Sequence, residues 1–281
     1  MASLKLSAFA DEYSPEFDKQ LEYLKENNIE YIELRFLDGK NIADLTENEV
    51  WDVKKKLEDA GIKVSAIGSP LGKINLDDDF PAHLEKCKNV FKTARILGAE
   101  NIRMFSFYLP EGKTREECRD EVISKLEKMV DLAETYGVTL CHENEAKIYG
   151  ESPEYCHDIL SHFGGRLKCV FDMGNFVLDG YKPFPDGYEL LKNYIEYFHI
   201  KDSLYAGAIV PPGLGEASIP EILGDVKNSF DRDVLVTLEP HLETFSGLNQ
   251  LVGKSFDNPY KFESAESAFI EATQRIKEIL K

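Results

Sequence analysis

Short apolar runs alternate with longer amphipathic segments from one end of the chain to the other, and no other feature limits its fold so strongly. The runs that read as strands are Leu4 to Phe9, Glu30 to Arg35, Ile62 to Gly68, Asn101 to Phe107, Val138 to Glu143, Leu167 to Asp172, Tyr197 to Lys201 and Val234 to Glu239. Between and after them the helical patterns are Pro15 to Asn27, Thr46 to Ala60, Phe80 to Leu97, Thr114 to Tyr136, Pro153 to Phe163, Asp186 to Tyr194, Ile219 to Phe230 and Glu263 to Leu280. Gly61, Gly98 and Gly137 each separate a helical segment from the next strand, where a left-handed cap belongs. Ser14-Pro15 and Ser152-Pro153 place an N-cap residue before a proline suited to the first turn. Eight strand-helix repeats in 281 residues predict an α/β fold, a single (β/α)8 TIM barrel, as one domain over residues 1–281. A doubly wound open sheet is the alternative, but Ser7-Ala8-Phe9-Ala10-Asp11-Glu12 stands where its glycine-rich phosphate loop would be.

The formal net charge of -18, with no basic run, argues against a nucleic-acid partner. No signal-peptide core is evident, and no run approaches the ~18 apolar residues of a membrane span. The five cysteines are odd in number and form no C-x-x-C pair, against a disulfide framework or a thiolate zinc site. The expectation is a cytoplasmic chain with no membrane partner; homo-oligomerisation stays open. The stretches Ser203 to Ser218 and Leu242 to Phe262 follow strands and would lie over the mouth of a barrel as lids. His83, His157 and His162 fall in predicted helices and read as surface residues, whereas Trp51 reads as core.

Four of the strands carry, at or near their ends, residue types that can ligate a metal. Side chains alternate along a strand, so Glu143 shares a face with Cys141 and Thr139, Asp172 with Val170, His199 with Tyr197 and Lys201, and Glu239 with Thr237 and His241. The opposite face (Leu140, Phe171, Phe198, Ile200, Val236, Leu238) is apolar and suited to covering helices. Glu143, Asp172, His199 and Glu239 therefore point inward at the C-terminal mouth, on neighbouring strands. Three carboxylates so gathered repel one another unless a cation holds them. Three oxygen donors and one imidazole favour Mn2+ or Mg2+, with Zn2+ as the alternative. Arg35 and Arg103 either clamp an anionic substrate group or pair with Glu33 and other rim acids. Lys201 can stabilise developing negative charge, Asp202 can accept from the ligand imidazole, and His142 faces outward into packing.

His142-Glu143-Asn144-Glu145, Phe171-Asp172-Met173-Gly174-Asn175, His199-Ile200-Lys201-Asp202, Gly213-Leu214-Gly215-Glu216 and Leu238-Glu239-Pro240 together resemble the xylose isomerase-like barrel superfamily. Its members include sugar isomerases and epimerases, inositol-catabolism enzymes and apurinic-site endonucleases. The resemblance covers nearly the whole chain and implies one Mn2+-type ion held by Glu143, Asp172, His199 and Glu239. It also implies that Glu143 and Glu239 flank the substrate carbon as an acid/base pair, working through a metal-stabilised enediolate of a small sugar, sugar phosphate or polyol. Where many such epimerases carry a substrate-binding histidine three residues after the metal aspartate, this chain has Asn175. Glu145 and His241, on the inward parity, are further candidates for substrate contact. The same frame can run a lyase or dehydratase reaction, and a non-catalytic sugar-binding barrel is the reading from a different class. An abasic-site nuclease is disfavoured by the acidic charge and the lack of further inward histidines.

Overall fold

The structure is a computed structural model that describes residues 2–242 and 260–281. Eight parallel strands form one sheet: β1 (Leu4–Ala8), β2 (Tyr31–Leu34), β3 (Lys63–Gly68), β4 (Asn101–Met104), β5 (Thr139–Glu143), β6 (Lys168–Asp172), β7 (Ile195–Ile200) and β8 (Val234–Leu238). Their order is β1-β8-β7-β6-β5-β4-β3-β2, each strand beside its neighbour in sequence, with β1 against β8 from Leu4↔Val234 to Ala8↔Leu238. The sheet is a nearly closed TIM barrel. Among the described residues, β1 and β2 lie side by side without ladder hydrogen bonds. Two-residue hairpin pairs, 36–37 with 40–41 and 202–203 with 209–210, decorate the mouth.

The helices are α1 (Phe17–Glu26), α2 (Glu47–Ala60), α3 (Phe80–Leu97), α4 (Arg115–Tyr136), α5 (Pro153–Phe163), α6 (Met173–Leu178), α7 (Tyr188–Leu191), α8 (Ile219–Ser229) and α9 (Ala265–Ile279). Thr46 and Thr114 start α2 and α4 with capping boxes, and Gly61, Gly98 and Gly137 end α2, α3 and α4 at φ 72°, 76° and 64°. Helix burial follows the turn: α2 buries Val50, Val53 and Leu57 against the sheet. Strand parity holds as read. Ala66, Cys141, Val170 and Tyr197, with Leu235 packed on them, fill the barrel interior, while Leu140, Phe171, Phe198, Ile200, Val236 and Leu238 join the core beneath the helices.

Several expectations are corrected. α1 starts at Phe17 because the Ser14 hydroxyl accepts from Glu16 N and Asp38 takes the Phe17 amide. The helix expected over 186–194 is confined to α7, preceded by a wide turn over Pro183–Gly187, and α6 follows β6 directly, capped by Asp172. Trp51 is 51% exposed on α2, not core. His83 is buried, not a surface residue: its Nε2 accepts the Gly72 amide at 3.0 Å. That contact follows from a tight crossing, because a Cβ on Gly72 (φ +82°) would lie 1.9 Å from the Phe105 carbonyl oxygen. All five cysteines are free and buried. Among the described residues, no helix is long and apolar enough to cross a membrane. The expected lid over 203–218 follows β7, whereas most of the second, residues 243–259, lies outside the described residues.

Candidate metal centre

Glu143 and Asp172 end β5 and β6, His199 lies one residue from the end of β7, and Glu239 follows β8. Register sets Asp172 beside His199 and His199 beside Thr237, so all four side chains enter from one arc of the mouth. Each offers a ligand atom within 4.8 Å of the others, and none is more than 2% exposed. The imidazole Nδ1 of His199 lies 2.8 Å from Glu143 Oε1 and 3.3 Å from Glu239 Oε2. Glu143 Oε2 is buried and accepts no hydrogen bond among the described residues. An acceptor-only oxygen of this kind, beside two more carboxylates and an imidazole, fits a divalent cation.

Side-chain cations already brace these acids. Lys201 Nζ lies 2.9 Å from Asp172 Oδ2, 3.0 Å from Asn175 Oδ1 and 3.3 Å from Glu239 Oε2. Arg103 Nη1 is 3.3 Å from Glu143 Oε2, and Arg35 Nη1 donates to Glu239 Oε1 at 2.6 Å. Burial disfavours ionising Glu143, yet His199 and Arg103 outweigh it and hold that carboxyl at about 2. Against the same burial, Lys201 holds Glu239 well below the usual carboxylate range. Asp172 goes the other way, to about 6, because burial and the charges of Glu143 and Glu239 exceed the pull of Lys201.

The other sequence candidates divide by position. Arg35 and Arg103 are buried in the site and form ion pairs, but Arg35 pairs with Asp11 (2.9 Å) and Glu12 (3.0 Å) as well as Glu239, not with Glu33. Asn175 donates its backbone N–H to Asp172 and its side-chain amide to Asn144 O, leaving its oxygen to orient Lys201. His241, at φ 48°, donates its backbone N–H to Glu12, and its Nε2 lies 3.3 Å from both Glu12 and Glu239. Burial and Lys201 lower its pKa to about 3. Glu145 sits at the rim, paired with Lys73 at 2.7 Å. Asp202 does not serve the His199 imidazole; one residue past Lys201, it has the opposite parity and accepts the amides of Ser203, Gly213, Gly215 and Ala217. His142 packs outward against the Ser106 hydroxyl, 2.9 Å away.

Asp11 and Glu12 were not singled out from the sequence. They lie in a single turn of 3-10 helix after β1, a segment without strand periodicity, although their position beyond a strand tip was the available signal. With Glu239 and His241, Glu12 makes a second cluster of metal-ligand type, but the Arg35 guanidinium already lies 3.0 Å from Glu12 and 2.6 Å from Glu239. Phe9 was also missed: its ring lies 4.1 Å from the Arg35 guanidinium carbon and 5.2 Å from that of Arg103. A Cβ on Gly68 would meet the Phe9 ring at 2.5 Å, so the glycine clears that plank.

A family model described as xylose isomerase-like TIM barrel matches residues 21–257. No curated protein matches the chain. Among solved structures, the IOLI protein with a binding zinc atom has a TM-score of 0.74 at 19% identity, over 98% of either chain. The D-psicose 3-epimerase with D-tagatose from Clostridium cellulolyticum H10 has a TM-score of 0.73 at 14% identity, over 99% of either chain. The probable 3-DHS dehydratase AsbF of petrobactin synthesis from Bacillus anthracis has 0.69 at 20% identity, over 85% of this chain and 92% of that one. At such identities the likeness is one of fold, and the reactions belong to those proteins. The family match runs from within α1 to beyond β8, through every strand that carries the four-residue cluster, and the chain belongs to the xylose isomerase-like TIM-barrel family.

Proposed function

We propose that the protein is a divalent-metal-dependent sugar or sugar-phosphate isomerase or epimerase, working as a single barrel domain. The observation that carries this reading is the pair Glu143 and Glu239, two buried carboxylates that approach His199 Nδ1 from separate strands at 2.8 and 3.3 Å. A cation held by Glu143, Asp172, His199 and Glu239, Mn2+ or Mg2+ by donor type with Zn2+ as the alternative, would supply the positive charge that acidifies a C–H beside a carbonyl. One ionised glutamate removes that proton, and the other, having taken up a proton from solvent, delivers one in its place. Delivery to the opposite face epimerises the carbon, and delivery to its neighbour isomerises the sugar. His199 and Arg103 hold Glu143 ionised and Lys201 does so for Glu239, so either can accept, and the one that acts as acid is first protonated from solvent. Lys201 also supplies an N–H donor to charge developing on substrate oxygen. Asn175, Arg35, Arg103, Glu145 and His241 are the proposed substrate contacts.

The buried Lys201 ammonium favours a second reading, because its N–H donors can stabilise a departing hydroxyl while the glutamate that took the C–H proton passes it on, which turns the same start into a dehydration. The test is incubation of metal-loaded protein with a panel of ketoses and keto-polyols in D2O, read by NMR. Deuterium at the carbon beside the carbonyl is expected, with Glu143→Gln and Glu239→Gln each lowering turnover roughly 10²–10⁴-fold. An unsaturated product selects dehydration. Unchanged turnover in both variants refutes the acid/base assignment.

A further inference from the structure

Glu33 lies on β2, across the barrel from His199, and is 1% exposed. Its Oε2 is 3.1 Å from His199 Nε2, and its Oε1 accepts the Tyr197 hydroxyl at 3.0 Å. The imidazole is confined further by ring contacts, edge-on to Phe9 at 5.1 Å and to Tyr197 at 5.6 Å between centroids. The β2–β3 register shifts between Ile32 and Glu33, where the Ser65 hydroxyl donates to Ile32 O, and such an irregularity re-aims the side chain beside it.

A neutral imidazole has one N–H and one lone pair, and a metal takes the lone pair. In His199 both nitrogens face carboxylates, so geometry alone leaves two tautomers. A cation held with Glu143 and Glu239 would separate them, because it would claim the Nδ1 lone pair. The Tyr197 hydroxyl fixes Glu33 with its second oxygen toward Nε2, and a lone pair on Nε2 would then oppose a carboxylate lone pair between two buried residues. With the N–H on Nε2, that contact becomes a hydrogen bond and the Nδ1 lone pair faces Glu143 and Glu239.

We infer that Glu33, itself held by Tyr197, is the positioning residue that fixes the His199 tautomer and thereby sets the affinity of the centre for its cation. This inference rests on the reading that the four-residue cluster binds a divalent metal. Asp202, the partner read from sequence, is not in reach, and Glu33 takes its place from the opposite wall.

The test is Zn2+ and Mn2+ affinity by chelator competition for the wild type, Glu33→Ala, Glu33→Gln and Tyr197→Phe. It is paired with 15N-histidine NMR of the zinc-loaded wild type. Removing an outer partner of a ligand histidine commonly costs 10–100-fold in affinity, and that loss is expected for Glu33→Ala. Glu33→Gln, whose amide oxygen still accepts from Nε2–H, should recover part of it. Tyr197→Phe should lose a few-fold, and the NMR spectrum should show Nε2 protonated. Equal affinity in wild type and folded Glu33→Ala overturns the inference while leaving the metal reading intact, as does a spectrum with Nδ1 protonated. A wild type that binds neither ion overturns the metal reading itself and the inference with it. If Glu33→Ala does not fold, the wild-type spectrum and Tyr197→Phe decide.

Discussion

His83 shows how burial turns a side chain into a pH-dependent element. Burial lowers its pKa from 6.5 to about 4, so the folded state keeps it neutral while an unfolded chain takes up the proton more readily. The contribution is complete above about pH 6.5 and is lost as pH falls toward 4, by up to roughly 3 kcal/mol at ~1.4 kcal/mol per unit. Denaturant unfolding at pH 7 and pH 4.5 should show a smaller acid loss in His83→Gln than in the wild type; identical losses would count against it. Strand periodicity made the metal-type cluster legible in sequence, since Glu143, Asp172, His199 and Glu239 each fall on the inward parity of a recognisable strand. The same logic failed for His83, because its environment is set by the Gly72 crossing over Phe105, a contact between distant segments.

The loop after β7 is organised by one carboxylate. Asp202 accepts four backbone amides, at 2.9 Å from Ser203, 2.8 Å from Gly213, 2.9 Å from Gly215 and 3.2 Å from Ala217. A Cβ on Gly215 would come within 2.1 Å of Asp202 Oδ1, which leaves no room for any other residue there. Asp202→Ala would strand these donors, at a cost on the order of 3 kcal/mol by the usual worth of charge-assisted hydrogen bonds. The expected result is faster amide exchange at Gly213, Gly215 and Ala217 with little change on α2; uniform acceleration would mean that the carboxylate supports the whole fold instead. The Gly213-Leu214-Gly215-Glu216 segment stood out in the sequence, but its partner did not. An acid one residue beyond Lys201 reads equally well as serving the site or the loop, and only the path of the chain separates the two.

Barrel closure was legible as a count of repeats, and its weakest line was not. β1 and β2 share no ladder, and side chains span the gap: Ser7 to Ser65 on β3 at 2.7 Å, and Arg35 to Asp11, Glu12 and Glu239. Replacing Arg35 by Met would leave three buried acids with less compensation, and breaking a buried ion pair typically destabilises by 3–5 kcal/mol. Chemical unfolding of Arg35→Met should show a loss on the order of 3 kcal/mol; a loss below about 1 kcal/mol would show that the network is balanced without the guanidinium.

The gap has a practical consequence. The guanidinium that clasps the two edge strands also holds Glu239, so whatever draws on that carboxylate pulls on the clasp. Backbone amides of β1 and β2 that lack a ladder partner are then a gauge of occupancy. Their deuterium uptake should rise when a cation competes with the guanidinium for Glu239, which provides a way to screen ligands before any reaction has been identified.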